Sequence, residues 1–307
     1  MTGNHARTED HASTWIEARL PAFRPGLAGV LRIVWRGTML AVVIYGGLVL
    51  FLPVRLVERA LAKVGRPLTS CLVQGICRLA LVIMRLSLVC HGRPMRQPGA
   101  TVANHSGWLD VLVLNAAHHG VFVAKSEVSG WPGIGWLARA TGTAFITRKG
   151  TEARRQQTEL EARLQAGQRL VFFPEGTSTD SLRVLPFKST LFAAFFAPGL
   201  RTVLHVQPVS VVYHAPPGTD ARQYGWWGDM DFASHLARLL ANPGRGRVEV
   251  RFHPSLAVAD FADRKALAKQ CETVVRSAGP MAGPAHTDQT AVRAETPISS
   301  KKSDRSL

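Results

Sequence analysis

Ala100-Thr101-Val102-Ala103-Asn104-His105-Ser106-Gly107-Trp108-Leu109-Asp110 reads as a short strand, a turn and the opening of a helix. The first four residues are small or β-branched and suit a strand. Gly107 marks the turn, and Leu109–Ala117 then has helical spacing. The same alternation recurs downstream. Val121–Ala124, Arg169–Phe173, Leu204–Tyr213 and Arg247–His253 read as strands bounded by turn signals. Trp131–Ala140, Thr151–Ala166 and Lys188–Phe196 have helical spacing, and a last helix covers Phe261–Arg276. Strands alternating with helices predict an α/β fold, with a mixed, largely parallel sheet flanked by helices.

Upstream the pattern differs. Residues 1–25 mix charge, His and small residues without a period and are expected to form a mobile leader. Residues 26–92 are mostly apolar and helix-like, and read as membrane-associated helices. Within them Gly37–Val54 holds 18 residues without a charge, near the lower limit for a transmembrane helix, and suits a spanning or re-entrant helix. It follows a polar leader and begins too late for a secretory signal, so it is expected to stay as an anchor. A second apolar stretch, Leu68–Val89, carries Arg78 and Arg85 seven residues apart, nearly on one helical face. Arg55, Arg59, Lys63 and Arg66 cluster just after the anchor, which by the positive-inside tendency puts its C-terminal side in the cytoplasm. These features predict the inner (cytoplasmic) membrane, with the domain at 93–276 on the cytoplasmic side. Ser277–Leu307, rich in small and polar residues, is expected to be disordered.

With 37 Lys+Arg against 21 Asp+Glu, the formal charge is +16, a field that favours anionic partners. The basic residues do not cluster with aromatics and no nucleic-acid signature is present, which argues against DNA or RNA and for an anionic membrane surface. A basic membrane-binding protein without catalysis is the competing class. Cys71, Cys77, Cys90 and Cys271 have no metal spacing and read as buried, reduced residues; no metal and no cofactor are expected. His118-His119, without a carboxylate or Cys at metal spacing, reads as a surface pair. Gly133-Ile134-Gly135-Trp136-Leu137-Ala138 fits a dinucleotide fingerprint, but Ser129-Gly130-Trp131-Pro132 precedes it instead of a strand. No serine sits in a nucleophile elbow.

The residues able to carry chemistry lie at the turns. His105 in the turn and Asp110 in the first helical turns place a carboxylate within reach of the imidazole. Such a contact on Nδ1 fixes the tautomer and leaves Nε2 to take a proton from a hydroxyl. Taken alone, the same pair also fits a His capping a helix beside an unrelated acid. Phe172-Phe173-Pro174-Glu175-Gly176-Thr177-Ser178-Thr179-Asp180 follows a strand, with Pro174 and Gly176 setting an irregular backbone that points Glu175 and Thr177 into a cleft. Gly142-Thr143-Ala144-Phe145-Ile146-Thr147-Arg148-Lys149 brings a basic pair to a strand end, and Lys125 ends another strand; both suit an anionic head group. Val206-Gln207-Pro208-Val209 carries a proline and is expected at an edge or bulge.

In order and spacing these four blocks resemble the glycerolipid acyltransferase family, which contains the 1-acylglycerol-3-phosphate acyltransferases. His105 and Asp110 match its H-x4-D motif; Gly142 with Phe145–Arg148, Phe173–Thr177 and Val206–Val209 resemble its later blocks. The resemblance covers about 85 to 275. It implies a one-step transfer without an acyl-enzyme, with His105 as general base and Asp110 orienting it. It also implies acyl-carrier protein or acyl-CoA as donor and a lysolipid as acceptor. Arg148 and Lys125 would bind the acceptor's anionic head, and Glu175, Gly176 and Thr177 would shape its site, where a backbone N–H would stabilise the oxyanion. Ser178 stands where the lysophosphatidate enzymes usually carry Arg. The run Glu175–Lys188 and Trp227-Gly228-Asp229-Met230 are closer to the lyso-ornithine lipid branch, so lyso-ornithine lipid and 1-acyl-sn-glycerol-3-phosphate both stay open as acceptors. Arg183 and Lys188 are candidates to replace the missing charge.

Overall fold

The computed structural model describes residues 15–61, 67–130, 135, 138–139, 141–146 and 153–279. A central sheet carries helices on both faces. In chain order the elements are α1 (Leu27–Leu61), α2 (Pro67–Ile83), β1 (Leu86–His91), β2 (Gly99–Ala103), α3 (Leu109–Ala117), β3 (Val121–Lys125), β4 (Ala144–Ile146), α4 (Ala153–Gln165) and β5 (Leu170–Phe172). A 3₁₀ segment (Ser189–Phe196), β6 (His205–His214), α5 (Phe232–Ala241), β7 (Gly246–Phe252), β8 (Leu256–Ala257) and α6 (Arg264–Ser277) follow.

The sheet order is β1-β7-β6-β2-β5-β3-β4, with β8 also on β6. Every pairing is parallel except β6 with β7 and β6 with β8. The expected mixed, largely parallel α/β sheet is therefore present. β2 is buried along its whole length, as a strand covered on both faces must be. One core lies between the sheet and α1, α2, α3 and α5, with Leu81, Leu114, Val211, Val250 and Leu239 at its centre. A second lies on the other face under α4, the 3₁₀ segment and α6, around Phe172, Phe192, Phe195 and Leu267.

Four differences from the sequence reading have clear causes. The apolar stretch Leu68–Val89 is not one helix: α2 stops at Ile83, Arg85 turns the chain at φ +57°, and Leu86 opens a strand parallel to β7. The sheet thus begins at Leu86, not at 93. Its β-branched and sulfur-bearing end, Ser87–Cys90, gains a partner strand that helical periodicity in isolation could not reveal. Second, β6 is central, not an edge. Pro208 is tolerated because β6 pairs β8 through His205 and Val206 and β7 only from Val209, so its missing N–H falls in the gap. Third, residues 15–25 do not hang free as a leader. Arg238 donates to the Pro21 carbonyl (2.6 Å) and covers the Phe23 ring, while Arg183 covers Trp15 at 4.8 Å. Fourth, His118 is buried against Phe252, with its pKa lowered to about 4 by desolvation; Cys71 and Cys90 are exposed, and Cys77 and Cys271 are buried. Most of the Trp131–Ala140 helix, residues 1–14 and the tail from 280 lie outside the described residues.

The anchor run is the middle of a longer helix. α1 has 35 residues, about 50 Å at ~1.5 Å each, and is long and apolar enough to cross a membrane. It packs on α2 and α5, yet leaves Leu31, Val34, Trp35, Val42, Val49 and Leu52 exposed.

Gly99 sits at φ +140°, where a Cβ would collide with the His205 carbonyl oxygen across the β2–β6 pair. Gly99→Ala is expected to destabilise the fold by about 2–4 kcal/mol, read as a lowered melting temperature of the detergent-solubilised protein.

Candidate active site

The parallel strands β2, β5 and β3 lie side by side, so the segments leaving their C-terminal ends converge. This is where open α/β sheets commonly build ligand sites. The segment after β2 carries His105, the segment after β5 carries Glu175, and β3 ends on Lys125.

The turn after β2 is defined by its hydrogen bonds. The Asn104 side chain accepts from Val211 N–H (2.8 Å) and donates to Val211 C=O (2.9 Å), prolonging the β2–β6 pairing by one residue. Ser106 C=O accepts the Trp226 N–H at 2.8 Å, and a Cβ on Gly107 would stand 2.8 Å from Trp226 Cβ, so only glycine allows this approach. α3 then starts with Asp110 in its first turn, where the helix dipole favours a carboxylate.

Asp110 is fully buried and gathers four donors. Oδ2 accepts from His105 Nδ1 (2.8 Å), Ser106 N–H (2.6 Å) and Gly107 N–H (2.9 Å); Oδ1 accepts from Tyr213 Oη (2.6 Å). Burial and the Asp110 charge hold the Tyr213 proton on its oxygen, well above the usual phenol range, so Tyr213 is the donor. A carboxylate that only accepts leaves the His105 proton on Nδ1 and the lone pair on Nε2. The His105 side chain is 22 % exposed while that of Asp110 is 0 % exposed, so the imidazole alone meets an incoming molecule. Its ring stacks on Phe173 at 4.0 Å and 12°, which hinders tilting of the imidazole toward that face. This arrangement can remove a proton from a hydroxyl and hold the resulting imidazolium.

Glu175 departs from the expected cleft position. It is 1 % exposed, and its two oxygens accept the His105 N–H and the Leu185 N–H, each at 2.6 Å. The carboxylate therefore ties the His105 turn to the segment before the 3₁₀ helix. Burial pushes its pKa up to about 8, against the opposite pull of those two N–H groups. Gly176, at φ +72°, closes a turn onto Phe173 C=O with its own N–H, so that N–H is not offered to an oxyanion. Thr177 is exposed beside it, and Thr179 bonds the His105 carbonyl (2.9 Å from its N–H). Lys125 is half-buried at the end of β3. Arg148 lies outside the described residues.

Of the two candidate replacement cations, Arg183 is committed. It forms a two-point ion pair with the buried Asp180, Nε–Oδ1 3.0 Å and Nη2–Oδ2 2.9 Å. Lys188 is exposed, and its ammonium reaches the Gly176 turn. An open cavity of about 600 Å³ beside β4, lined by Arg139, Thr143, Phe145, Glu159 and Arg163, contains none of these residues. Tyr213, Asn104 and Trp226 were not found by sequence reasoning. Tyr213 lay in a strand already explained by its alternation, and its partner lies 103 residues away. Among the described residues no group of three or more His, Cys, Asp or Glu is arranged to hold a metal ion.

A family model described as Acyltransferase matches residues 88–212, the stretch that runs from β1 through the His105 turn to β6. A lyso-ornithine lipid O-acyltransferase of Rhodobacter capsulatus is 53 % identical over 264 residues, covering 86 % of this chain and 96 % of that protein. This chain belongs to the acyltransferase family. A 1-acyl-sn-glycerol-3-phosphate acyltransferase of Neisseria gonorrhoeae is 30 % identical over 57 % of this acyltransferase and 67 % of its own length. The crystal structure of the 1-acyl-sn-glycerophosphate acyltransferase of Thermotoga maritima superposes with a TM-score of 0.57 at 23 % identity, covering 81 % of this chain and 93 % of that one. That likeness establishes the shared fold.

The Glu175 carboxyl titrates near 8 in the folded acyltransferase and near its ordinary 4.5 when unfolded. Between these values the folded state holds a proton that the unfolded state has released. The stability contributed by Glu175 is therefore fully present below about pH 4.5 and is lost as pH rises toward about 8. Glu175→Gln should flatten this decline in melting temperature measured from about pH 5 to about pH 8. An undiminished slope would assign the effect to another group.

Proposed function

We propose that this enzyme is a membrane-bound lysolipid O-acyltransferase in which His105 is the general base and Asp110 its orienter. The observation that carries the reading is geometric: Nδ1 of the partly exposed His105 ring is bound to the fully buried Asp110, a contact that assigns the proton to Nδ1 and leaves the lone pair to Nε2. Nε2 takes the proton of the acceptor hydroxyl as its oxygen attacks the thioester carbonyl. The tetrahedral adduct collapses, the C–S bond breaks, and the imidazolium returns the proton to the leaving thiolate. The buried Asp110 charge stabilises the imidazolium between these steps. No acyl-enzyme is formed.

Lyso-ornithine lipid is the acceptor this reading favours, supported by the Rhodobacter capsulatus relative matched along 96 % of its length and by Ser178 in the third block. Lys188 and Lys125 are assigned to the acceptor's anionic group, together with Arg148, which follows β4 in the sequence. Gly176 and Thr177 border the site, and Glu175 supports it from beneath instead of touching the lipid. The 1-acyl-sn-glycerol-3-phosphate reaction is the second reading, supported by the Neisseria gonorrhoeae relative. The donor is acyl-carrier protein or acyl-CoA. This reading assigns the enzyme to the inner membrane with the sheet on the cytoplasmic side and anionic lipid against the basic surface, supported by the long apolar α1 and the basic cluster that follows its apolar run.

His105→Ala should lower acyl transfer by about 10³-fold while the protein stays in the membrane fraction; transfer at the wild-type rate would remove His105 from the base role. Membranes carrying the enzyme, given labelled acyl-carrier protein with lyso-ornithine lipid or lysophosphatidate in turn, should yield product with lyso-ornithine lipid. Product from lysophosphatidate alone would overturn that choice of acceptor.

A further inference from the structure

The turn that carries His105 is held from outside by a helix that the anchor itself holds. Trp108, between His105 and Asp110 in the chain, donates its indole Nε1–H to His235 Nδ1 at 3.0 Å. Its ring also meets Phe232 edge-on at 5.1 Å and 67°. Phe232 and His235 are three residues apart on α5 and so share a face. His235 is buried, and its Nε2–H donates to the Gln223 carbonyl at 3.0 Å, which makes Nδ1 the acceptor. Burial lowers its pKa to about 4, so the ring stays neutral and keeps that acceptor at neutral pH.

The other end of α5 belongs to the anchor. The last carbonyls of a helix have no partner within it. Here Arg32 Nε donates to Ala241 C=O (2.6 Å), and Arg36 Nη1 donates to Leu240 C=O (2.9 Å) and Asn242 C=O (2.7 Å). Two cations at a helix C-terminus also oppose the negative end of its dipole. Asn242 in turn donates to the Gln223 side chain at 2.8 Å, closing the connection back to His235. A continuous set of directed hydrogen bonds thus runs from α1 through α5 to the His105 turn.

We propose that Trp108 and His235 are positioning residues for acyl transfer, forming with Arg32 and Arg36 a rigid joint that sets the His105–Asp110 turn against the anchor helix. The physical need is one of height. The acceptor hydroxyl arrives at a depth fixed by the lipid bilayer, and a base on a loop must meet it to within a fraction of an ångström. Tying that loop to the helix that sits in the lipid refers both to the same frame. This rests on the reading of His105 as the base.

The test uses the full-length enzyme in native membranes, with kcat and KM measured per folded enzyme, for Trp108→Phe, His235→Ala, His235→Asn, the Trp108→Phe/His235→Ala pair and Arg32→Gln/Arg36→Gln. Trp108→Phe and His235→Ala should each lower kcat about 10-fold with KM for the acyl donor nearly unchanged. Because both remove one shared bond, the double variant should be no slower than the slower single. His235→Asn should recover most of the rate, since Asn Oδ1 takes the place of Nδ1. Arg32→Gln/Arg36→Gln, remote from the catalytic pair, should lower kcat in the same way. Additive losses, no advantage of Asn over Ala at 235, a wild-type kcat in the arginine variant, or losses only in the amount of folded protein would each overturn the joint. His105→Ala in the same assay reports on the base separately, because its activity does not depend on whether the joint exists.

Discussion

Asp110 is a fully buried carboxylate, and the architecture around His105 follows from the need to satisfy its charge. A charge removed from water is tolerable only if paired and hydrogen-bonded. Asp110 meets that condition with two backbone N–H groups, an imidazole and a phenol, and each of these comes from a different constraint. The two N–H groups require the tight turn at Ser106 and Gly107. The phenol requires β6 to run past the end of β2, which its 10-residue length achieves. The imidazole is the group left facing outward. Hydrogen bonds to charged groups are worth about 1.5–3 kcal/mol each, so this cluster stabilises one geometry of the turn over its alternatives.

Glu175 braces the turn from the other side, and burial keeps it protonated up to about pH 8 instead of charged. Its carboxyl lies under the turn and spans two backbone N–H groups on separate segments, at His105 and Leu185. With Thr179 on the His105 carbonyl, both backbone polar groups of the histidine are bound to the chain that follows β5. The block Phe173–Thr179 is thus a brace for the histidine. Its acidic residue is buried and bonded to the backbone and does not face outward.

The membrane-facing half obeys a different economy. α1 exposes a row of large apolar side chains that a water-facing helix would not carry, while its arginines at 32 and 36 turn inward to the protein. Near its other end the buried Glu58 likewise faces the protein, accepting from Leu68 N–H and the Thr69 hydroxyl. The lipid-directed surface and the docking surface of α1 are therefore separated by chemistry along one helix.

What the sequence determined by itself was local. Strand and helix periodicity placed β2, α3, β3 and α6 within a few residues, and the five-residue spacing of His105 and Asp110, broken by Gly107, placed a carboxylate against an imidazole. Those features depend on near neighbours in the chain, where pattern and turn chemistry decide. The tertiary structure decided everything that depends on a distant partner. β1 became a strand because β7 was there to pair it, Pro208 sat in a central strand because two partners left a gap, and Glu175 turned inward because two N–H groups needed an acceptor. Tyr213 and His235 joined the His105 turn across more than a hundred residues. A buried polar group is satisfied by whatever the fold brings near it, and that neighbour is not written beside it in the sequence.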